Sequence, residues 1–336
     1  MRRKLLAKLS KPMLSFILFG SIFSGSALYN SIQSAHAATS FNISTVGDWG
    51  CSSNTKDSAK NINNKNPELV LGLGDYSYQK TAKCWFDIIK PFDKVTQINI
   101  GDHDDDSKSI LDSYLSHFDL KKQYYSFDIQ NIHVLTMATE LDYKKGSKQF
   151  EFVNNDLQKA SKNPSTKWII VSLHNPLYSS SNTCSANLCQ GSKSLRDTYH
   201  QLFDKFGVDI VLEGKVHNYQ RSFPIEYNPN NPSKPIVSSD DKHMYNNPAG
   251  EVFAIVGTGG IDLHGLSGKS KFTASQQDKK FGILDIQITK NGNKLEATYY
   301  TNEGKVKDHF SIVKSSTGSS GTGLKESSSR YSNPFG

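Results

Sequence analysis

Residues 68–78 read Glu68-Leu69-Val70-Leu71-Gly72-Leu73-Gly74-Asp75-Tyr76-Ser77-Tyr78. An aliphatic run of the length of one buried strand ends directly on Gly-Asp, so the chain delivers a carboxylate just past a strand's carboxyl end. The same grammar recurs on either side. Short runs rich in β-branched and aliphatic residues predict strands over 42–46, 68–73, 95–100, 132–137, 168–173, 209–212 and 252–256, and polar residues follow most of them at once. Between them, helices are expected over 57–64, 108–117, 149–161 and 194–206. Strand, helix, strand is the pattern of an α/β fold with parallel strands, in which ligands bind beyond the strands' carboxyl ends. Further on, 281–288 and 294–300, joined through Lys290-Asn291-Gly292-Asn293, read as a hairpin with an Asn-Gly turn, and 124–128 with 132–137 as another.

The ends of the 336-residue chain read differently. Arg2, Arg3, Lys4, Lys8 and Lys11 precede a largely apolar run to Leu28, and Ala35-His36-Ala37 has the small-x-small form of a cleavage site. Residues 1–37 are therefore expected to be a signal peptide, giving a secreted or cell-surface protein with no stable membrane span after cleavage. Arg2-Arg3-Lys4-Leu5-Leu6 also resembles a twin-arginine signal. Removing the leader takes away five positive charges and lowers the formal net charge of +7 to about +2. The basic balance thus belongs mostly to the leader and gives no support for nucleic acid as a specific partner. Residues 315–336, rich in Ser and Gly, are expected to be a disordered tail, which leaves 38–314 as one catalytic-sized domain without an internal repeat. The four cysteines form an even set in an exported chain, which favours disulfides. Cys184 and Cys189 close a short loop, leaving Cys51 and Cys84 as the other pair, although sequence alone does not fix the connectivity.

Collecting the residues just past the expected strands gives Asp48, Asp75, Tyr78, Asp102, His103, Asp104, His174 and His217. These oxygen and nitrogen donors suit a hard or borderline metal ion. One Asp after a strand is more often a cap or turn residue than a ligand, and one His more often a satisfied group. Repetition at successive strand ends is harder to assign to turns.

Gly47-Asp48-Trp49-Gly50, Gly74-Asp75-Tyr76-Ser77-Tyr78, Gly101-Asp102-His103-Asp104, Val171-Ser172-Leu173-His174 and Gly214-Lys215-Val216-His217 resemble the ordered purple acid phosphatase motifs GDxG, GDxxY, GNH(D/E), VxxH and GHxH. The chain is on these grounds similar to purple acid phosphatase-like members of the calcineurin-like phosphoesterases. The resemblance implies two packed, mostly parallel or mixed β-sheets flanked by helices, with a pair of metal ions at the strand ends. It implies Asp48, Asp75, Tyr78 and His217 as ligands of a first metal, iron in its ferric form, the phenolate being a hard anionic donor. A hydroxide generated there would attack a small phosphorylated substrate, and His103 would protonate the leaving alkoxide. Asp102 and His174 would belong with a second divalent ion (Fe, Zn or Mn), bridged through Asp75.

Two positions depart from the family pattern, and both fall on that second metal. Asp102 stands for its Asn, and Lys215 for its first His. A protonated ammonium does not ligate a cation. Either Asp102 and Lys215 pair, so that Lys215 replaces the second cation as a clamp on phosphate, or Lys215 swings toward substrate and a weakened second metal remains. Charge balance favours the first. Tyr219 and Arg221, next to His217, are further candidates for holding phosphate. So is His264, a few residues beyond Gly257-Thr258-Gly259-Gly260, whose glycines let the backbone approach the site closely.

The function expected from these residues is hydrolysis of phosphate monoesters by an acid phosphatase-like enzyme. Its rivals are a phosphodiesterase on the same site and a non-catalytic phosphate- or anion-binding protein with a degenerate second metal position.

Overall fold

The computed structural model describes residues 40–180, 191–289 and 292–315. The expected leader, the expected tail beyond Ser315 and the expected Cys184–Cys189 pair lie outside the described residues. In chain order the strands are β1 (Ser40–Val46), β2 (Leu69–Gly72), β3 (Thr96–Ile98), β4 (Tyr125–Ile129), β5 (Ile132–Thr136), β6 (Trp168–Leu173), β7 (Ile210–Glu213) and β8 (Tyr219–Ser222). They continue with β9 (Ile225–Glu226), β10 (Ile236–Val237), β11 (Met244–Asn246), β12 (Val252–Val256), β13 (Thr273–Gln277), β14 (Gly282–Thr289), β15 (Lys294–Thr301) and β16 (Val306–Val313). The helices are α1 (Ser53–Lys65), α2 (Lys83–Ile89), α3 (Lys108–His117), α4 (Lys148–Lys162) and α5 (Lys193–Phe206).

Two seven-stranded sheets result, ordered β11-β16-β15-β14-β1-β2-β3 and β13-β8-β12-β7-β6-β5-β4. The strands expected from the strand-helix-strand grammar form the parallel cores, β1-β2-β3 in one sheet and β5-β6-β7-β12 in the other. Antiparallel partners extend both, so each sheet is mixed. Period-two alternation then builds a sandwich. Trp168 and Ile170 of β6 share an apolar cluster with Ile43, Val70 and Ile286 of the other sheet. Ile169, Val171 and Leu173 face the opposite way and pack with Val153 and Leu157 of α4 and Tyr199 and Phe203 of α5. Each such aliphatic side chain, fully buried, contributes about 1.5–3 kcal/mol.

Helix starts follow local chemistry. The N-cap side chains of Ser52, Ser107, Ser147 and Ser192 accept from the amides of Thr55, Ile110, Phe150 and Leu195, satisfying donors that the helix leaves free. The cap at Ser52 starts α1 four residues before the expected 57. α2 is too short for its periodicity to be read from sequence. The strand expected over 95–100 is reduced to β3; past it, the Asn99 amide still donates to Gly72 O, but its carbonyl accepts from the Tyr76 hydroxyl at 2.7 Å and its Nδ2 donates to Met137 O (3.1 Å) and Ser172 O (2.9 Å). A disulfide joins Cys51, past β1, to Cys84 in α2.

Candidate metal centre

The site lies where the parallel strands of both sheets end. β1 leads to Asp48, β2 to Asp75 and Tyr78, β3 to Asp102 and His103, β6 to His174, and β7 to Lys215 and His217. Four of these residues are held in the left-handed backbone region that side chains rarely adopt: Asp48 (φ 59°), Asp75 (56°), Tyr78 (53°) and Lys215 (67°). Such conformations cost of order 1–3 kcal/mol each and persist only where the surroundings enforce them. The glycines of these turns let the backbone pack closely around the site. A Cβ on Gly74 would sit 2.5 Å from His174 Nδ1, and one on Gly101 would collide with Asp75 Oδ1. Asp104 closes the same turn, accepting from the amides of Asp75 (2.7 Å) and Gly101 (3.0 Å) on Oδ2 and of Tyr76 (2.9 Å) on Oδ1.

Asp48, Asp75, Tyr78 and His217 converge. The Tyr78 hydroxyl lies 3.0 Å from Asp75 Oδ2, 3.4 Å from Asp48 Oδ1 and 3.1 Å from His217 Nε2. Asp48 and Asp75 are fully buried. His217 Nδ1 donates to Asp262 O at 2.8 Å, which fixes the tautomer and frees Nε2 as a donor to a metal. Burial and the carboxylates of Asp48 and Asp75 push the Tyr78 phenol far above its ordinary value. Ionising it therefore needs a cation at this point. Asp48 Oδ2 is buried and has no hydrogen-bond partner among the described residues. An orphaned carboxylate oxygen, a second buried carboxylate, an imidazole and a phenol form a donor set that fits a hard metal ion.

The neighbouring position differs. His174, fully buried, donates from Nδ1 to Leu73 O (2.7 Å), and its Nε2 lies 3.1 Å from Asp102 Oδ1 and 3.4 Å from Asp75 Oδ2. Burial pushes the Asp75 carboxyl up, but His174 outweighs this and holds it below the usual value. Lys215 Nζ lies 2.5 Å from Asp102 Oδ2. Burial opposes charge on both partners, yet His174 and Lys215 hold the Asp102 carboxyl low, while Asp102 holds the Lys215 ammonium high. An ammonium ion pair thus adjoins the donors that a second metal would need.

His103, with a side chain 43% exposed, packs against Tyr78 at a centroid distance of 4.4 Å with the rings tilted by 39°. His264 stacks on His217 at 3.9 Å. Tyr219 and Arg221 correct an expectation: they lie in a different, buried cluster. The Tyr219 hydroxyl donates to Asp308 Oδ2 at 2.7 Å, and Arg221 forms a two-point pair with the same carboxylate at 2.6 and 2.9 Å. Glu140 and Asn175, which sequence reasoning passed over, line a cleft with Asp102 and Lys215. Glu140 follows β5, so the strand-end rule was the signal that pointed to it.

Residues 41–219 match the family model described as calcineurin-like phosphoesterase. Among curated proteins, "Purple acid phosphatase 22" of Arabidopsis thaliana is 27% identical, over 64% of this chain and 49% of the relative. "Acid phosphatase type 7" of Mus musculus is also 27% identical, over 74% of this chain and 61% of the relative. The chain spans about half the length of the curated relatives it matches. Among solved structures, a purple acid phosphatase from yellow lupin (Lupinus luteus) seeds superposes with a TM-score of 0.71 at 22% identity, covering 82% of this chain and 54% of that one.

Proposed function

The chain belongs to the calcineurin-like phosphoesterase family, and from that premise we propose that it is a metal-dependent hydrolase of phosphate monoesters in which Lys215 takes the place of a second metal ion. The observation that carries this reading is the convergence of Asp48, Asp75, Tyr78 and His217 around an unpartnered carboxylate oxygen, beside the Lys215–Asp102 pair. The names of its acid phosphatase relatives support the monoester class. A metal ion held by those four residues, iron given the phenol among them, supplies the charge that lowers the pKa of a water and screens the phosphoryl oxygens.

The chain's own groups do the rest. Lys215, fixed by Asp102, presents its remaining ammonium N–H groups to a phosphoryl oxygen, a fixed charge that needs no reorganisation as the transition state forms. Asp102 keeps that lysine charged. His103 stands at the rim and gives a proton to the oxygen of the departing alcohol. His264, stacked on His217, holds the ligand ring in place. The reading of residues 1–37 as a leader makes the enzyme an exported one, which the Cys51–Cys84 disulfide supports. Among the described residues no helix is long and apolar enough to cross a membrane.

The test is metal analysis and turnover by the purified protein, with p-nitrophenyl phosphate and its bis-ester as substrates from about pH 4 to 8, bracketing the titration of a metal-activated water. One iron per chain with preferential monoester turnover is expected. Preferential diester turnover replaces the substrate class. No turnover with iron, zinc or manganese leaves a non-catalytic anion-binding protein, for which the Lys215–Asp102 pair also suits.

A further inference from the structure

A cleft of about 310 Å³ runs from Asp102 and Lys215 to Glu140 and Asn175, with Pro176 and Ser192 on its wall. Its charges are unequal. Asp102 and Lys215 pair at 2.5 Å, whereas Glu140 is bonded only to the neutral groups of Thr139 and Asn175 among the described residues. Its position is fixed: Oε1 accepts from the Thr139 hydroxyl at 3.1 Å and from Asn175 Nδ2 at 3.0 Å, which leaves Oε2 for another donor. The Asn175 amide is thereby turned so that one N–H serves Glu140, and its Oδ1 has no hydrogen-bond partner among the described residues. Because Asn175 Oδ1 is itself buried, it is Glu140 Oε2 that gives this end of the cleft an open acceptor and a net negative charge.

A carboxylate beside a phosphate-binding point repels the phosphate unless a positive charge lies between them. A zwitterionic ligand meets both demands, with its phosphate toward Lys215 and its cation toward Glu140. We propose that Glu140 and Asn175 form a subsite for a cationic leaving group, so that the preferred substrates are phosphate monoesters of small amino alcohols. A cleft of this volume has room for a phosphate and a short aminoalkyl chain. This inference rests on the phosphoesterase reading of the adjoining residues. In the reaction a water oxygen forms a bond to phosphorus as the ester P–O bond breaks, and the proton the water gives up passes to solvent, from which His103 is reprotonated. The departing alkoxide takes a proton from His103, and the products are inorganic phosphate and the amino alcohol.

The experiment compares wild type with Glu140→Gln in the full chain loaded with iron. Glutamine keeps the Oε1 acceptor and removes the charge. Two readouts are taken: the ratio of kcat/KM for 2-aminoethyl phosphate over ethyl phosphate, and calorimetric Kd values for 2-aminoethylphosphonate and ethylphosphonate, which are not hydrolysed. Comparing the ratio between the two proteins cancels the different leaving-group basicities of the esters. The expected result is that wild type binds the aminophosphonate about tenfold more tightly than ethylphosphonate, as close charge pairs at an interface do, and that Glu140→Gln loses this preference in both readouts. Equal preference in the two proteins overturns the subsite, as does failure of 2-aminoethylphosphonate to bind. Hydrolysis of neither ester, with the phosphonate preference intact and charge-dependent, overturns the phosphoesterase reading while upholding the subsite.

Discussion

Lys215 Nζ lies 2.5 Å from Asp102 Oδ2, and Lys215 holds this position from a left-handed backbone conformation at φ 67°. The pair sits beside His174 Nε2 and Asp75 Oδ2, donors that are otherwise set for a cation. If the ammonium is what keeps a second metal away, replacing Lys215→His together with Asp102→Asn should admit one. Elemental analysis of wild type and the double variant after identical loading is expected to show about one and about two ions per chain, respectively. Equal stoichiometry would remove Lys215 as the stand-in cation.

The Tyr78 hydroxyl makes three short approaches, to Asp48, Asp75 and His217, in a field that opposes its ionisation. Only a bound cation makes the phenolate favourable there. With iron, wild type should show a visible phenolate-to-iron absorption band. Tyr78→Phe should lose that band and bind iron at least about tenfold more weakly, through loss of one anionic ligand. A band of undiminished intensity in the variant would mean that the metal is held elsewhere.

How much of this was readable in advance depends on whether strand ends or strand faces decide the question. Asp48, Asp75, Tyr78, His174, Lys215 and His217 each lie in the turn that follows a β-branched or aliphatic run, so chain order alone gathers them at one edge of the fold. Tyr219 and Arg221 lie inside β8, where parity decides. As residues i and i+2 they share the face that meets Asp308 of β16, while Gln220 between them bonds to Asn218 and Ser180 on the other side. Proximity to His217 in sequence says nothing about that choice. Their partner, almost ninety residues later, belongs to a strand whose pairing no local pattern announces.

That placement makes Arg221 a structural residue. Arg221 is 1% exposed and Asp308 8%, and the pair ties β8 of one sheet to β16 of the other. Removing one partner leaves a buried uncompensated charge. Asp308→Ala should destabilise the protein by about 3–5 kcal/mol in denaturant unfolding, whereas Arg221→Met with Asp308→Leu should recover much of that loss. A rise in KM for p-nitrophenyl phosphate in the stabilised double variant would instead return Arg221 to the phosphate site.

His133 offers a pH test away from the metal centre. Its Nδ1 lies 2.8 Å from Asp128 Oδ1 and its Nε2 2.8 Å from Asp156 Oδ2, an arrangement in which both ring nitrogens donate only when the imidazole is protonated. Burial pulls its pKa down, but the hydrogen bonds and charges of Asp156 and Asp128 win and raise it above the ordinary value. A histidine whose folded pKa is raised contributes its full stabilisation below the unfolded pKa of about 6.5, and loses it as pH rises through the folded value. The stability gap between wild type and His133→Gln should therefore be larger at about pH 5.5 than at about pH 9, by roughly 1–2 kcal/mol for the charge-assisted bonds. Urea unfolding of both proteins at the two pH values measures it. Because the variant's packing loss is common to both conditions, a gap that does not change with pH would mean that the bridge between Asp128 and Asp156 is made by the neutral ring.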